Sequence, residues 1–224
     1  METPPAPTAA AKLQILATEH WSLLATRSLT YTESLGRVNV FLAILSGAVI
    51  ALALVAQADH FGAAFVAIAI LTLLVVLFAG IATISRLIQL NRDDYRWVLG
   101  MNRLRHAYLD LHPELEPNFI TSPYDDLPGA LRTLGVDITA NRGIGTPLHV
   151  FQTLPGMLSV IVAAIVGAIG ALVAVAFGLP SLGVVLSAAG AFAVAALSMG
   201  IWGLRSFRGP TDPTLEPHFL SPKT

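Results

Sequence analysis

The chain has 224 residues, of which 54% are hydrophobic and only 12% are charged, and its net charge is −1. Soluble domains carry about 25% charged residues, so this composition, with a mean hydropathy of +0.70, predicts a chain whose apolar segments face lipid. A nearly neutral balance argues against a nucleic-acid partner, and the absence of cysteine excludes disulfides, thiolate metal sites and a thiol nucleophile.

The N-terminal region is predicted to be a short disordered segment followed by a long helix. Residues 1–8 contain three prolines and no basic segment that would mark a cleaved signal peptide. From about Ala9 onward, apolar residues recur every three or four positions, which is the spacing of an amphipathic helix. The positions that lead this stripe into the first apolar run are Leu24, Ser28, Tyr31, Leu35 and Val38.

The first two apolar runs, 38–58 and 61–85, are each long enough to cross about 30 Å of hydrocarbon as a helix. The short connection 57–60 forces them into a tight antiparallel hairpin. Asn39 and Ser46 are polar residues within the first run, and we predict that they line a pore. The alternative for Asn39 is a hydrogen bond to another helix, and the alternative for Ser46 is a hydrogen bond to the preceding turn of its own helix.

The second span is predicted to continue as a helix to about Leu111, because the first proline after it is Pro113. This extension carries an apolar stripe with one carboxylate, Asp94. If Asp94 lies in the seam, its expected ion-pair partner is Arg27 on the first helix or Arg92 or Arg96 on its own helix. The alternative is a solvated carboxylate at the edge of the seam. Residues 9–111 are therefore predicted to form a helical hairpin that projects into the cytoplasm, the alternative being a helix lying on the lipid headgroups. The stripe consists of Leu87, Leu90, Asp94, Trp97, Met101, Leu104, Tyr108 and Leu111.

One motif occurs twice, at 112–119 and 212–219, with the shared pattern x-P-x-L-E-P-x-F. Its two prolines fix φ and are expected to prevent a helix, which predicts a rigid extended or turn segment. We predict that both copies are docking elements with leucine and phenylalanine as apolar anchors. The alternatives are chance similarity of two Pro-rich segments and a relic of duplication. The predicted docking residues are Leu115, Glu116, Pro117, Phe119, Leu215, Glu216, Pro217 and Phe219.

Residues 112–154 are predicted to be a cytoplasmic linker, in which Asp125 and Asp126 cap a short helix that follows them. The chain contains no phosphate-binding loop, zinc-protease motif or nucleophile elbow, and no ionisable residue lies at the centre of a span. The sequence therefore predicts no catalytic residue, no cofactor site and no metal ligand, and the protein is predicted not to be an enzyme.

The second apolar region is predicted to be another transmembrane hairpin, with spans at 155–178 and 181–204 and a tail at 205–224. Small residues recur at four-residue spacing in both spans, which lets helix backbones approach closely in lipid. The close contact is expected either within the hairpin or across a subunit boundary.

The distribution of basic residues predicts the topology. All 13 Lys and Arg residues lie outside the connections 57–60 and 178–181, and basic residues are retained on the cytoplasmic side. Both termini and the linker are therefore predicted to be cytoplasmic. The composition, with few lysines beside many alanines and arginines, favours the inner (plasma) membrane of a bacterium.

The order of a helix, a two-span hairpin and a returning helix over residues 9–111 resembles the SLATT-type two-span proteins. That resemblance implies a pore-forming or membrane-perturbing effector of bacterial conflict systems, but the second hairpin departs from the two-span form. The stretch 91–105 is also similar to uncharacterised actinobacterial four-span membrane proteins, which implies no activity.

The leading functional prediction is a non-enzymatic, homo-oligomeric membrane protein that forms an ion-conducting pore. The alternative is a structural or accessory subunit that binds a protein partner through its cytoplasmic helices, as a coiled coil, and through the two motif segments. Neither interpretation involves a cofactor or nucleic acid.

Overall fold

The computed structural model describes residues 8–135, 153–207 and 215–222. Within these ranges the regular structure is entirely helical, without a strand, which confirms the predicted all-α fold class. Three predicted features lie wholly or partly outside the described residues. They are the disordered N-terminus, the later part of the linker and the start of the second motif copy, at 1–7, 136–152 and 208–214.

Two very long helices make up the first half of the chain. Helix α1 covers Ala9–Asp59 with 51 residues, and helix α2 covers Ala63–Leu111 with 49 residues. At 1.5 Å per residue each helix is about 75 Å long, whereas the hydrocarbon core of a bilayer is about 30 Å thick. More than half of each helix therefore lies outside a single membrane crossing. No proline occurs between Pro7 and Pro113, so neither helix is interrupted.

The connection between α1 and α2 is a tight turn that depends on Asp59. The Asp59 carboxylate accepts a hydrogen bond from the Phe65 N–H at 2.7 Å, and its carbonyl accepts one from the Gly62 N–H at 2.9 Å. His60 and Phe61 have positive φ angles of 47° and 62°, which residues other than glycine rarely adopt. The Asp59 side chain offsets this strain by satisfying an N–H group at the start of α2.

Shorter elements and a second hairpin follow α2. A 3-10 helix covers Pro113–Asn118, so the extended or turn segment predicted for the first motif copy is wrong, because the φ angle that proline imposes is also that of a 3-10 helix. Helix α3 covers Leu127–Thr133 with Asp126 as its N-cap. This confirms the cap predicted for Asp126. Helix α4 covers Leu154–Ala176 and helix α5 covers Ser181–Phe207.

Helices α4 and α5 pack directly on each other. A Cβ at Gly170 would lie 2.8 Å from the Cβ of Ala191, and a Cβ at Gly167 would lie 3.1 Å from the Ala188 carbonyl oxygen. Both glycines therefore permit the close approach of the two backbones. The Ser187 hydroxyl also donates a hydrogen bond to the Gly170 carbonyl at 3.0 Å. Of the two arrangements predicted from the small residues, packing within the hairpin is the one observed.

Helices α1, α2, α4 and α5 are each long and apolar enough to cross a membrane. At the two hairpin turns, the ends of the predicted spans lie within two residues of the ends of these helices. The chain is thus a multi-pass integral membrane protein.

The described chain divides into two compact units. The membrane unit comprises 33–90 and 153–207, and the polar unit comprises 8–32, 91–135 and 215–222. In the membrane unit, α1, α2 and α4 share an apolar core. Its buried residues are Val38, Phe41, Leu73, Val76, Ile84, Leu87, Leu90, Leu158, Val162 and Ile165.

The polar unit has a small core of its own. The face of α1 that packs there is offset from the predicted stripe, because Leu23 packs against the core while Leu24 and Tyr31 are 44% and 55% exposed. Helix α1 carries apolar residues on more than one face, so spacing alone does not identify the packed face. The core residues are Val98, Leu99, Met101 and Ala130, packed against Leu23, Tyr95, Leu134 and Leu215.

Candidate functional site

The polar unit contains a groove that holds residues 215–222 of the same chain. We call it the tail groove and define it by Arg103 and His106 of α2 together with Asp125 and Asp126. These four side chains contact the C-terminal segment through hydrogen bonds and one ring stack. The groove joins two parts of the chain that are about 100 residues apart in sequence.

The loop before α3 fixes the position of the two aspartates. Asp126 Oδ1 accepts a hydrogen bond from the Gly129 N–H at 2.9 Å. A Cβ at Gly129 would collide with the Tyr124 carbonyl oxygen, so only glycine fits there. The same carbonyl accepts a hydrogen bond from Asn102 Nδ2 at 2.7 Å. Asn102 is fully buried on α2 and therefore ties the loop to that helix, a role that the sequence did not predict.

Asp125 lies at the centre of the groove, and its side chain is 0% exposed. Its carboxylate accepts hydrogen bonds from the Phe219 N–H at 2.7 Å and from the His218 N–H at 3.0 Å. Asp125 Oδ2 also accepts a hydrogen bond from Arg103 Nε at 2.6 Å. In return, the Asp125 N–H donates to the Phe219 carbonyl at 3.1 Å. The backbone of the segment is thus held through both donors and an acceptor.

Asp126 and Arg103 hold the segment on either side of this centre. Asp126 accepts two hydrogen bonds from Ser221, one from the N–H at 2.8 Å and one from the hydroxyl at 2.7 Å. Arg103 Nη2 donates to the Glu216 carbonyl oxygen at 2.8 Å. The Glu216 side chain is exposed, so this contact uses the backbone of Glu216 rather than its charge.

Apolar contacts complete the groove. The Phe219 ring stacks on the His106 imidazole with centroids 3.8 Å apart and an interplanar angle of 22°. Leu215 packs against the core of the polar unit. The segment is therefore anchored by one aliphatic and one aromatic side chain, with backbone hydrogen bonds between and beyond them.

Hydrogen bonds outweigh the desolvation of both groove carboxylates. Burial by itself would raise the pKa of Asp125, but the His218 N–H and the Arg103 guanidinium hold that pKa below its ordinary value. Burial would likewise raise the pKa of Asp126, and the hydroxyl and N–H of Ser221 reverse this and lower it. Both carboxylates are thus ionised at neutral pH, which strengthens their hydrogen bonds to the segment.

The two copies of the predicted docking motif lie in different surroundings. In the second copy, Leu215 and Phe219 are half-buried in the tail groove. Among the predicted docking residues of the first copy, only Phe119 is half-buried, and its ring lies parallel to that of Tyr108 with centroids 6.5 Å apart. The predicted docking residues that are exposed are Leu115, Glu116, Pro117, Glu216 and Pro217.

The structure also places Arg27 against Asp94 in the polar unit. Arg27 Nε lies 2.7 Å from Asp94 Oδ1, and Arg27 Nη2 lies 3.3 Å from Asp94 Oδ2. The two side chains are 22% and 16% exposed. Burial lowers the pKa of Arg27, but the hydrogen bond and charge of Asp94 outweigh it and raise that pKa. The pair therefore links α1 to α2 within this unit.

The predicted pore-lining residues lie in the membrane unit, on the face of α1 turned away from its core. Asn39 and Ser46 are both exposed. Nothing lies within 4 Å of a Cβ built at Gly36 or Gly47, and Val40 is 61% exposed. No described residue of the membrane unit covers this face, which carries small, polar and apolar side chains without a charge.

A cluster of ion pairs that the sequence did not predict lies in the membrane unit just before the first span. Glu33 accepts hydrogen bonds from Arg86 Nε at 2.9 Å and from Arg37 Nε at 2.8 Å. The contacts with Arg86 and then Arg37 lower the pKa of Glu33 to about 2. The four-residue spacing of Glu33 and Arg37 was the available signal, whereas Arg86 is 53 positions away.

Among the residues that the structure describes, no group of three or more histidine and acidic side chains is placed to hold a metal ion. Comparison with protein-family models, curated proteins and solved structures gives no match. What the tail groove does hold is a peptide segment, through paired carboxylate and backbone contacts.

Proposed function

We propose that this chain is a non-enzymatic membrane protein that assembles with copies of itself through α1, and that the assembled α1 helices surround an ion-conducting pore. The observation that carries this proposal is the uncovered face of α1 with Asn39 and Ser46. In hydrocarbon, small residues let helices approach closely, and an amide side chain gains a hydrogen bond from a neighbouring helix. A second copy of α1 supplies small residues for close approach and an amide for the hydrogen bond.

The remaining features of α1 are consistent with this assembly. The face has open space at Gly36 and Gly47, so a second helix meets no obstruction there. The Glu33, Arg37 and Arg86 cluster lies just before the span, where charges attract ions to a pore mouth. The resemblance of residues 9–111 to SLATT-type proteins favours the same function.

Reconstitution in liposomes tests the pore. The purified protein is expected to conduct ions, and Asn39→Leu is expected to change the flux because it removes the amide from the α1 face. Val75→Leu is the matched control, since Val75 is apolar and 60% exposed but lies on α2. A protein that is strictly monomeric in membranes and gives no flux contradicts the proposal.

A second candidate function is an accessory subunit that binds a protein partner through the first motif copy. The observation that favours it is the exposure of two apolar side chains, Leu115 in this copy at 40% and Ile120 directly after it at 92%. Exposed apolar side chains that lie close together are typical of protein-binding surfaces.

Co-purification distinguishes this candidate from the pore. An accessory subunit is expected to retain a partner protein, to lose it when Leu115 is changed to alanine, and to give no ion flux. Asp110→Ala is a suitable control, because Asp110 lies nearby with a side chain that is 69% exposed. Ion flux from the purified chain alone contradicts the accessory role.

A further inference from the structure

Ser221 is held in the tail groove by a single carboxylate, that of Asp126. The Ser221 hydroxyl donates a hydrogen bond to Asp126 Oδ1 at 2.7 Å, and the Ser221 N–H donates one to Asp126 Oδ2 at 2.8 Å. Two donors of one residue thus face the two oxygens of one carboxylate. The hydroxyl makes this contact only while it carries the proton that it donates. The groove therefore binds Ser221 as an unmodified residue.

The groove presents negative charge to this part of the tail segment, residues 215–222. The Asp125 side chain is 0% exposed and accepts hydrogen bonds from two N–H groups of the segment. The lowered pKa values of Asp125 and Asp126 keep both carboxylates ionised at neutral pH. The Arg103 guanidinium is already engaged by Asp125 and by a carbonyl of the segment. A negative charge on Ser221 would meet a carboxylate at hydrogen-bond distance, and we expect it to be repelled.

A serine beside the first motif copy provides a comparison. Ser122 and Ser221 are each followed by a proline, Pro123 and Pro222, which favours an extended backbone at the serine. Ser122 is only 1% exposed, and its hydroxyl accepts a hydrogen bond from the Tyr124 N–H at 3.1 Å. Ser221 is half-buried, and its hydrogen bonds are those to the groove. Release of the segment therefore makes Ser221 accessible to an enzyme, whereas Ser122 stays covered.

We infer that Ser221 is a phosphorylation site and that phosphate on its hydroxyl releases the tail segment from the groove. Phosphorylation removes the seryl donor and adds about 1.5 to 2 negative charges at pH 7, so it opposes both features of the contact with Asp126. Release uncovers Leu215 and Phe219 together with the surfaces on which they pack. This switch is independent of the proposed assembly through α1.

The reaction requires a nucleoside triphosphate and a protein kinase. The Ser221 oxygen forms a bond to the γ-phosphorus of the nucleotide, and the bond from that phosphorus to the oxygen bridging it to the β-phosphate breaks. The hydroxyl proton passes to a base of the kinase, and the nucleoside diphosphate leaves. The kinase acts on the released segment, and the phosphate then prevents the segment from docking again.

Hydrogen–deuterium exchange of the full chain in detergent measures docking of the segment. The N–H groups of His218, Phe219 and Ser221 are protected while they donate to Asp125 and Asp126. Phosphoserine is introduced at position 221 by genetic encoding. These three amides are expected to exchange about a hundredfold faster than in the unmodified chain, because of the repulsion between like charges near a protein surface. Unchanged or slower exchange, as when an arginine captures the phosphate, overturns the inference.

Three variants separate the effect of charge from loss of the hydroxyl. Ser221→Asn is uncharged and is expected to accelerate exchange by about fivefold, the effect of one lost hydrogen bond. Ser221→Asp is expected to accelerate it far more. Leu220→Asp is the matched control, because it adds the same charge to an adjacent side chain that is 68% exposed. Equal acceleration in Leu220→Asp and Ser221→Asp would show that the groove does not sense charge at Ser221, and it overturns the switch.

A double variant tests whether the repulsion acts through Asp126. Asparagine caps a helix as well as aspartate does, so Asp126→Asn is expected to keep the cap on the Gly129 N–H. In Ser221→Asp it removes one facing charge and supplies an amide donor to the introduced carboxylate. Exchange in the double variant is therefore expected to be about tenfold slower than in Ser221→Asp. Effects of the two changes that simply add would give Ser221 a structural role only and contradict the switch.

Mass spectrometry of the protein from its native cells tests the modification itself. Phosphate is expected on Ser221 and not on Ser122, which is buried. The cells are sampled across growth phases with phosphatase inhibitors present. Absence of phosphate from Ser221 in every sample overturns the modification, whatever the exchange experiments show.

Discussion

The two units of this protein are stabilised by opposite means. In the membrane unit, helices approach closely at glycines, and a Cβ at Gly80 would lie 2.6 Å from Val162 Cγ2 and 3.1 Å from Phe41 Cε2. In the polar unit, a fully buried carboxylate, Asp125, accepts hydrogen bonds from Arg103 and from backbone N–H groups. The membrane unit is therefore expected to be sensitive to a larger side chain at a close helix contact. The polar unit is expected to be sensitive to the loss of its buried carboxylate.

The three tryptophans allow each unit to be followed separately. Trp21 and Trp97 lie in the polar unit and Trp202 lies in the membrane unit. Changing Trp202 to phenylalanine leaves reporters in the polar unit, and changing Trp21 and Trp97 leaves one in the membrane unit. Fluorescence during unfolding of the detergent-purified protein then assigns each effect to its unit.

The largest effect is expected for Asp125→Ala in the polar unit. Removing the fully buried carboxylate takes away the acceptor of Arg103 Nε and of the His218 and Phe219 N–H groups. We expect a loss of about 3 kcal/mol in the free energy of unfolding, seen by Trp97 and not by Trp202. Asp110→Ala, at an exposed position, is expected to change little, and an equal loss for both variants contradicts this role of Asp125.

The next largest effect is expected for Gly80→Ala in the membrane unit. The added methyl group would overlap Val162 and Phe41, and overpacking of a core costs about 2 kcal/mol. Trp202 fluorescence is expected to report the loss. Gly47→Ala has open space around its new Cβ and is expected to leave the monomer's stability unchanged, so a similar loss for Gly47→Ala argues against close packing at Gly80.

A smaller effect is expected for Ser187→Ala. This change removes the hydrogen bond between α5 and the Gly170 carbonyl, and such bonds in membrane helices average about 0.6 kcal/mol. Ser198→Ala is the control, because the Ser198 hydroxyl donates to Val194 of its own helix. Indistinguishable unfolding of the two variants would show that the interhelical bond contributes nothing of its own.

The smallest effect is expected from the pH dependence of Glu33. Its folded-state pKa is lowered to about 2 from an ordinary value of 4.5, so the unfolded chain binds a proton first as pH falls. The stability from Glu33 is full above about pH 4.5 and is lost as the pH falls toward 2. Its side chain is 35% exposed, so the loss is small.

Thermal unfolding with the Trp202 reporter at pH 5 and pH 3 measures this dependence. The difference between the two pH values is expected to be smaller in Glu33→Gln, because glutamine does not titrate. The same pH dependence in Glu33→Gln and in the parent would contradict a contribution of Glu33 to the loss of stability at low pH.

Much of the fold could be predicted because it depends on local properties of the sequence. Charge-free runs of bilayer length mark the four spans, and the absence of proline up to Pro113 marks the length of α1 and α2. The cap at Asp126 follows from the preference of aspartate for that position. These features are set by neighbours in sequence.

The tail groove could be predicted only in part, because it joins residues far apart in sequence. The repeat predicted Leu215 and Phe219 as anchors, but nothing local indicates that the core of the polar unit and His106 pack against them. Asn102 lies between Met101 and Arg103 on α2, and the hydrogen bond of its fully buried amide depends on a loop that sequence periodicity does not position.

The spacing of apolar residues also does not predict which face of α1 packs on the core of the polar unit. Leu23 and Leu24 are adjacent and equally apolar, yet only Leu23 packs on the core of the polar unit. Because α1 carries apolar residues on more than one face, the elements that pack against it determine which of these faces is buried. The uncovered residues are therefore the ones available to a second copy.

A cysteine scan of α1 in native membranes tests the central claim most directly, because the chain has no cysteine of its own. Disulfide cross-linking between copies is expected at the exposed positions 39, 43, 46 and 50 and not at the buried or half-buried positions 38, 41 and 45. Cross-links confined to the first set would establish assembly through this face of α1. Uniform cross-linking along the helix, or none at any position, would contradict it.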